Sequence, residues 1–181
     1  MYPLGRLIKE MVLQRNAPKI GMLDTHRSSH LCWPWDLDPW MELNNGRTLT
    51  LYDLGRLPMM LRNGLIEALR KSKCGITVAG ASVRYRKRIR VFQRVEMLTR
   101  IIGWDARFFY MEQGLWCGTS CANHILLRLA VTGSKLGGIV PPAQLLQYFP
   151  NETPAESPAL PQWVQAWIDS ESDRPWPPTM V

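Results

Sequence analysis

The sequence predicts an α+β fold, a curved antiparallel sheet of five or six strands wrapped around one long, kinked helix. Three observations predict it. Residues 46–73 carry apolar side chains at helical spacing on nearly every side, which marks a buried helix rather than a surface one. After Gly75 the period changes to two, as in a strand, most plainly over residues 83–91. Further strand-like runs follow at 95–104, 107–116 and 120–131, and consecutive strands joined by short turns pair antiparallel.

Length and composition exclude several classes. The 181 residues suit one domain with flanking segments. A chain this long buries roughly 70% of its unfolded surface, without help from disulfides or metal. Hydrophobic residues at 46% and charged residues at 20% mark a folded chain, not a disordered one. No apolar run reaches the roughly 18 residues of a membrane helix. Residues 1–21 lack the apolar core and small-residue cleavage site of a secretory signal. The four cysteines are therefore expected to be reduced, in the cytoplasm. Lys plus Arg is 22 against 15 Asp plus Glu, and the resulting +7 invites a polyanionic partner. The excess is local. Residues 70–107 hold eleven Lys/Arg against Glu96 and Asp105, whereas residues 141–181 hold five acids against Arg174.

The elements follow in order. Residues 1–21 form an N-terminal helical segment in which Leu4, Leu7, Ile8, Met11 and Val12 make a stripe. That stripe is expected to dock on the protein, with a membrane surface as the alternative. The central domain is expected over residues 22–132. It opens with a strand ending at Pro34, followed by a polar, Trp-rich turn. Asn44 or Asn45 is suited to cap the helix that follows. That helix would span roughly 40 Å, and Pro58, which lacks an N–H, should kink it near Leu54. In the next strand Arg84, Arg86, Arg88 and Arg90 share one face. Asp105 and Gly114 are the expected turn positions. Residues 133–181 form a Pro/Trp-rich tail with one short helix around 161–169. Its Trp163, Trp167 and Trp176 predict that it packs on a surface.

The segment Asp38-Pro-Trp-Met-Glu-Leu-Asn-Asn45, with the element order around it, resembles the hotdog-fold acyl-CoA thioesterases of the 4-hydroxybenzoyl-CoA thioesterase-like group. That group reads Asp-x-x-Gly-His-Val-Asn-Asn, then a helix with Glu-x-Ala-Arg, where this chain has Asp53-Leu-Gly-Arg56. Residues 33–56, the strand YRKRIRVFQRV and the turn GWDARFFYMEQ resemble the thioesterase-superfamily-member-six-like branch more closely. The likeness runs over about residues 26–131. Met41-Glu42 stands where the group has Gly-His.

The resemblance implies acyl thioester hydrolysis on acyl-CoA or acyl-carrier protein, with CoA as part of the substrate and no separate cofactor. It implies a homodimer or dimer of dimers, with sites at the interface and an acyl tunnel between the helix and the sheet. Asp38 would be the nucleophile or general base, and the Asn45 N–H at the helix start would polarise the carbonyl. Read without the resemblance, Asp36 and Asp38 are turn residues. Asp53 is a second catalytic candidate, the alternative being an ion pair with Arg56. Asn44, Arg84, Arg86 and Arg88 are expected to contact substrate, the arginines through CoA phosphates. The other reading of the arginines is a solvated face.

Nucleic acid is not expected, because no aromatics interleave the charges for stacking. No metal is expected, because neither His26/His30 nor Cys117/Cys121 is joined by the further ligands that zinc needs. His124 reads as a strand residue rather than a base. A hotdog module that binds an acyl group or a protein without catalysis is the leading alternative, and the Met41-Glu42 departure permits it.

Overall fold

Asn44 starts the central helical segment. Its Oδ1 accepts the Arg47 N–H at 2.9 Å and so caps the first turn. The computed structural model of the protein describes residues 2–133, 138–150 and 153–178. Within it the expected single helix is three pieces: α2 (Asn45–Leu51), α3 (Asp53–Arg62) and α4 (Leu65–Ser72). The first break is at Tyr52, two residues before the expected kink. There the Tyr52 carbonyl accepts both Gly55 N and Arg56 N, and Gln113 Nε2 from the sheet at 2.9 Å. Pro58 sits inside α3, one turn beyond. The second break is at Asn63-Gly64, where Gly64 takes φ +87. A side chain there would also meet the Pro150 ring at 2.7 Å.

The helices lie on a six-stranded antiparallel sheet of order β1-β3-β4-β5-β2, with β6 paired to the end of β5. The strands are β1 (His26–Leu31), β2 (Cys74–Tyr85), β3 (Arg94–Trp104), β4 (Phe108–Cys117), β5 (Ser120–Gly133) and β6 (Gly138–Val140). The Asp105 turn is present, its Oδ1 accepting Arg107 N and Phe108 N at 2.7 Å each. Gly114 is not a turn. It lies within β4 opposite His124, and the turn falls at Gly118, which has φ +58.

The strand expected over 83–91 is also corrected. β2 pairs with β5 and β3 lies on the far side of β4, so the link between β2 and β3 must cross the end of the sheet. Residues 86–93 make that crossing. Eight residues reach roughly 26 Å, enough to pass strands about 4.8 Å apart. Arg86, Arg88 and Arg90 therefore belong to a link, and only Arg84 of the four stands on a strand. The alternation ends once the N–H groups of Arg86 and Lys87 both turn to the Ala122 carbonyl.

The interior between α3 and the sheet is filled. Leu54, Met59, Met97, Ile101, Phe109, Met111 and Leu115 are all fully buried. A Cβ on Gly55 would lie 2.5 Å from Met97 Sδ and 2.8 Å from Thr99 Oγ1. Among the described residues this packing leaves no room between α3 and the sheet for the expected acyl tunnel.

The flanking segments dock on both sides. α1 (Leu4–Gln14) forms where expected and packs Leu7 on the core, but it turns Arg6 and Glu10 inward beside it. Arg6 pairs with the buried Asp36 at 2.7 Å, and Glu10 is buried 3.9 Å from His30. Leu4, Ile8 and Val12 are left exposed, because the buried Asp36 carboxylate claims the arginine. After α5 (Pro142–Leu146), α6 (Gln162–Asp173) crosses the outer sheet face. Its Val164 is buried with Tyr110 and Leu126, and Trp167 packs beside them. Arg128 stacks on the Trp167 ring at 5.6 Å. Trp176 takes no part in this packing and is exposed.

Candidate active site

The turn before α2 is built by two aspartates with different surroundings. Asp36 is fully buried. It accepts Trp33 N at 3.0 Å and pairs with Arg6 and with Arg47, each at 2.7 Å. It joins α1, the turn and α2. Asp38 is half-buried, and its Oδ1 accepts Trp40 N at 2.9 Å and Glu42 N at 3.3 Å. Its Oδ2 has no partner among the described residues. Met41 takes φ +59 between them. The position where the resembling group carries Gly is left-handed here, although a methionine occupies it. Glu42, at the group's His position, pairs with Arg88 at 2.8 Å.

The crossing link runs beside this turn, with Leu43 N bonded to the Ile89 carbonyl at 2.8 Å. Between them opens a pocket of about 160 Å³. Asn45, Glu42, Arg86, Lys87 and Arg88 stand around its mouth, and Thr48, Ile89 and Asn123 are buried at its floor. Tyr85 lines the side, its hydroxyl donating to the Asn45 carbonyl at 3.0 Å. Behind the floor, the Tyr52 hydroxyl donates to Asn123 Oδ1 at 2.5 Å. Burial pushes that hydroxyl far above its usual range, so it stays a donor.

The expected site residues divide on this geometry. Asn45, Arg86 and Arg88 meet at the pocket. Asn44 stands beside it as the helix cap. Asp38 is behind the turn and is not a lining residue. Arg84 pairs with His124 in the sheet register and lies outside the lining. Asp53 is elsewhere, ion-paired with Arg56 and accepting the Tyr2 hydroxyl at 2.8 Å. Sequence reasoning missed Asn123, Thr48 and Tyr85 as lining residues. Asn123 and Thr48 are polar residues at inward positions of their elements, the one available signal. A larger hollow of about 400 Å³ lies at the other end of the helical segment, between α4, β2 and α5. Its described lining holds lysines and a tyrosine but no carboxylate, so it offers no base for water.

Comparison with known proteins agrees with this architecture. The family model described as "Thioesterase-like superfamily" matches residues 32–168. Protein THEM6 of Xenopus laevis is 35% identical over 92 residues, which is 51% of this chain and 44% of that protein. The chain thus spans less than half the length of that relative. Protein THEM6 of Drosophila melanogaster is 28% identical over 153 residues, 84% of this chain and 76% of that one. The DHNA-CoA thioesterase structure from Staphylococcus aureus matches with a TM-score of 0.59 at 15% identity, over 82% of this chain and 91% of its own. That likeness is one of fold. With the family match covering most of its length, and a curled antiparallel sheet holding helices in its hollow, this chain belongs to the thioesterase-like superfamily and has the hotdog fold.

Proposed function

We propose that this protein hydrolyses an acyl thioester, acyl-CoA or acyl-carrier protein, at the pocket in front of α2. The observation that carries the reading is the meeting of the helix start, the Asp38 turn and two arginines at one mouth. Arg86 and Arg88 hold phosphates of the carrier. The Asn45 N–H, which has no carbonyl to reach in its own helix, faces the oxygen that gains charge as the carbonyl is attacked. Asn44 holds that first turn in place. Asp38 stands behind this mouth, so its part as base requires the turn to open when substrate binds; its Oδ2 then takes the proton of a water whose oxygen adds to the carbonyl carbon. The C–S bond then breaks and the thiolate leaves with that proton. In the nucleophilic variant Asp38 itself displaces the thiolate, and water then cleaves the mixed anhydride. Asp53 serves structure through Arg56 and Tyr2. CoA enters only as part of the substrate.

A homodimer belongs to the same reading. β2 is an edge strand of twelve residues with one side unpaired in the sheet. Its end, at Tyr85, is where the pocket begins, so a second copy paired along β2 stands beside the mouth. The cytoplasm is the proposed location.

Free-thiol release from a panel of acyl-CoAs tests hydrolysis. Asp38→Asn should lower the rate at least about 100-fold, the usual size of a lost acid–base group. A second reading, binding without hydrolysis, is favoured by the engagement of both local carboxylates, Asp38 with its turn and Glu42 with Arg88. CoA binding with no thiol release from any acyl group would select it.

A further inference from the structure

On the reading that this pocket receives the thioester, we infer that the protein takes short, polar acyl groups, and that the Tyr52–Asn123 pair sets the limit. Three observations carry it. First, the pocket is small. At about 160 Å³ it has roughly half the volume at the low end of ordinary ligand pockets, about 300 Å³.

Second, the way inward is closed. The break between α2 and α3 is bonded to two strands, and through one of them to a third. Tyr52 donates to Asn123 on β5, Gln113 on β4 donates to the Tyr52 carbonyl, and the same Gln113 amide reaches Thr99 on β3 at 3.0 Å. Tyr52, Gln113 and Thr99 are fully buried. Immediately beyond, Gly55 touches Met97 and Thr99 closely enough to exclude a single methyl group. An alkyl chain would have to break these hydrogen bonds and part α3 from β3.

Third, the lining is polar. Leu43, Ile89 and the Tyr85 ring are its apolar surfaces among the described residues. A plain alkyl chain would strip water from the others and give nothing back. Asn123 uses its Oδ1 on the Tyr52 hydroxyl, which leaves its two amide N–H groups to donate into the pocket. They suit an oxo, hydroxyl or carboxylate oxygen on the acyl group.

Calorimetric titration of the full chain with CoA and with non-hydrolysable S-alkyl-CoA thioethers tests this without requiring turnover. The affinity should change little from CoA to S-butyl-CoA, with the S-octyl and S-dodecyl forms within about threefold of butyl. S-(2-carboxyethyl)-CoA should bind at least tenfold tighter than S-propyl-CoA. The double variant Tyr52→Phe/Asn123→Leu replaces both partners by apolar groups of similar shape, which spares the fold. It should lose the carboxyl preference while still unfolding in one cooperative transition, which shows that the fold is intact. Affinity that climbs about tenfold for every two added methylenes up to dodecyl, as free burial of a chain would give, overturns the length limit. A carboxyl preference that survives in the double variant overturns the role of the pair. Failure of CoA alone to bind removes the pocket reading itself, and this inference with it.

Discussion

Beneath α3 the sheet presents Met97, Ile101, Phe109 and Met111, all fully buried against the helix. About two helical turns earlier, in front of α2, the neighbouring surface is Thr48, Asn123 and a set of charged side chains around an open mouth. The difference comes from topology. Under α3 the strands run on and close packing is available. At the start of α2 the β2–β3 link has to cross the sheet end, and the turn that caps the helix has to meet it. Polar backbone and side chains collect at that seam because a link cannot bury its N–H and C=O groups without partners. The solid interior fixes the frame, and the seam is where chemistry is possible.

The largest effect should come from breaking the seam at its buried carboxylate. Asp36→Ala leaves Arg6 and Arg47 without their shared partner, both mostly buried. Loss of one side of such a pair costs about 3–5 kcal/mol, so denaturant unfolding should shift by that order. A loss below about 1 kcal/mol would show that the turn is held by its other contacts.

Acid should act next, and on the β1 side of the frame. Burial holds His26 and His30 down at about 4, below the 6.5 of a free histidine, with Arg62 adding to the effect at His26 and Arg6 at His30. The unfolded chain therefore binds protons that the folded chain refuses between pH 6.5 and 4. The contribution of these two histidines to stability should fall across that window as the pH drops and be spent near pH 4. Melting curves at pH 7, 5.5 and 4 check this, and equal midpoints would contradict it.

The interior offers the smallest of the three. Gly55→Val drives branched carbons into Met97 and Thr99, and overpacking of this kind costs about 1–3 kcal/mol. The effect should be less than that of Asp36→Ala. The reverse order would mean that the frame, not the seam, is the sensitive part.

The sequence carried the fold further than it carried the site. Apolar periodicity over residues 46–73 reported burial correctly, but it ran through Asn63-Gly64, because Leu61 and Leu65 keep the period across the break. The alternation of residues 83–91 imitated a strand in what is largely a link, since side chains that alternate between solvent and a neighbour look the same in either. The two turn aspartates were alike on paper. What buries Asp36 is a pair of arginines 30 positions before it and 11 after it, which no local pattern announces. Asn123 was hidden for the same reason, its partner Tyr52 lying 71 positions away. The inward face of α1 was misread because amphipathicity was weighed without the buried carboxylate that draws Arg6 in.

The central claim is that substrate meets this protein where α2 begins. Titrating CoA into isotope-labelled protein while following backbone and side-chain amide resonances tests it most directly. The account predicts that the largest shifts fall on Asn45, Arg86, Arg88 and the Asn123 side chain. Shifts concentrated instead on Lys73, Cys74 and Tyr148, around the larger hollow at the other end of the helices, would contradict it.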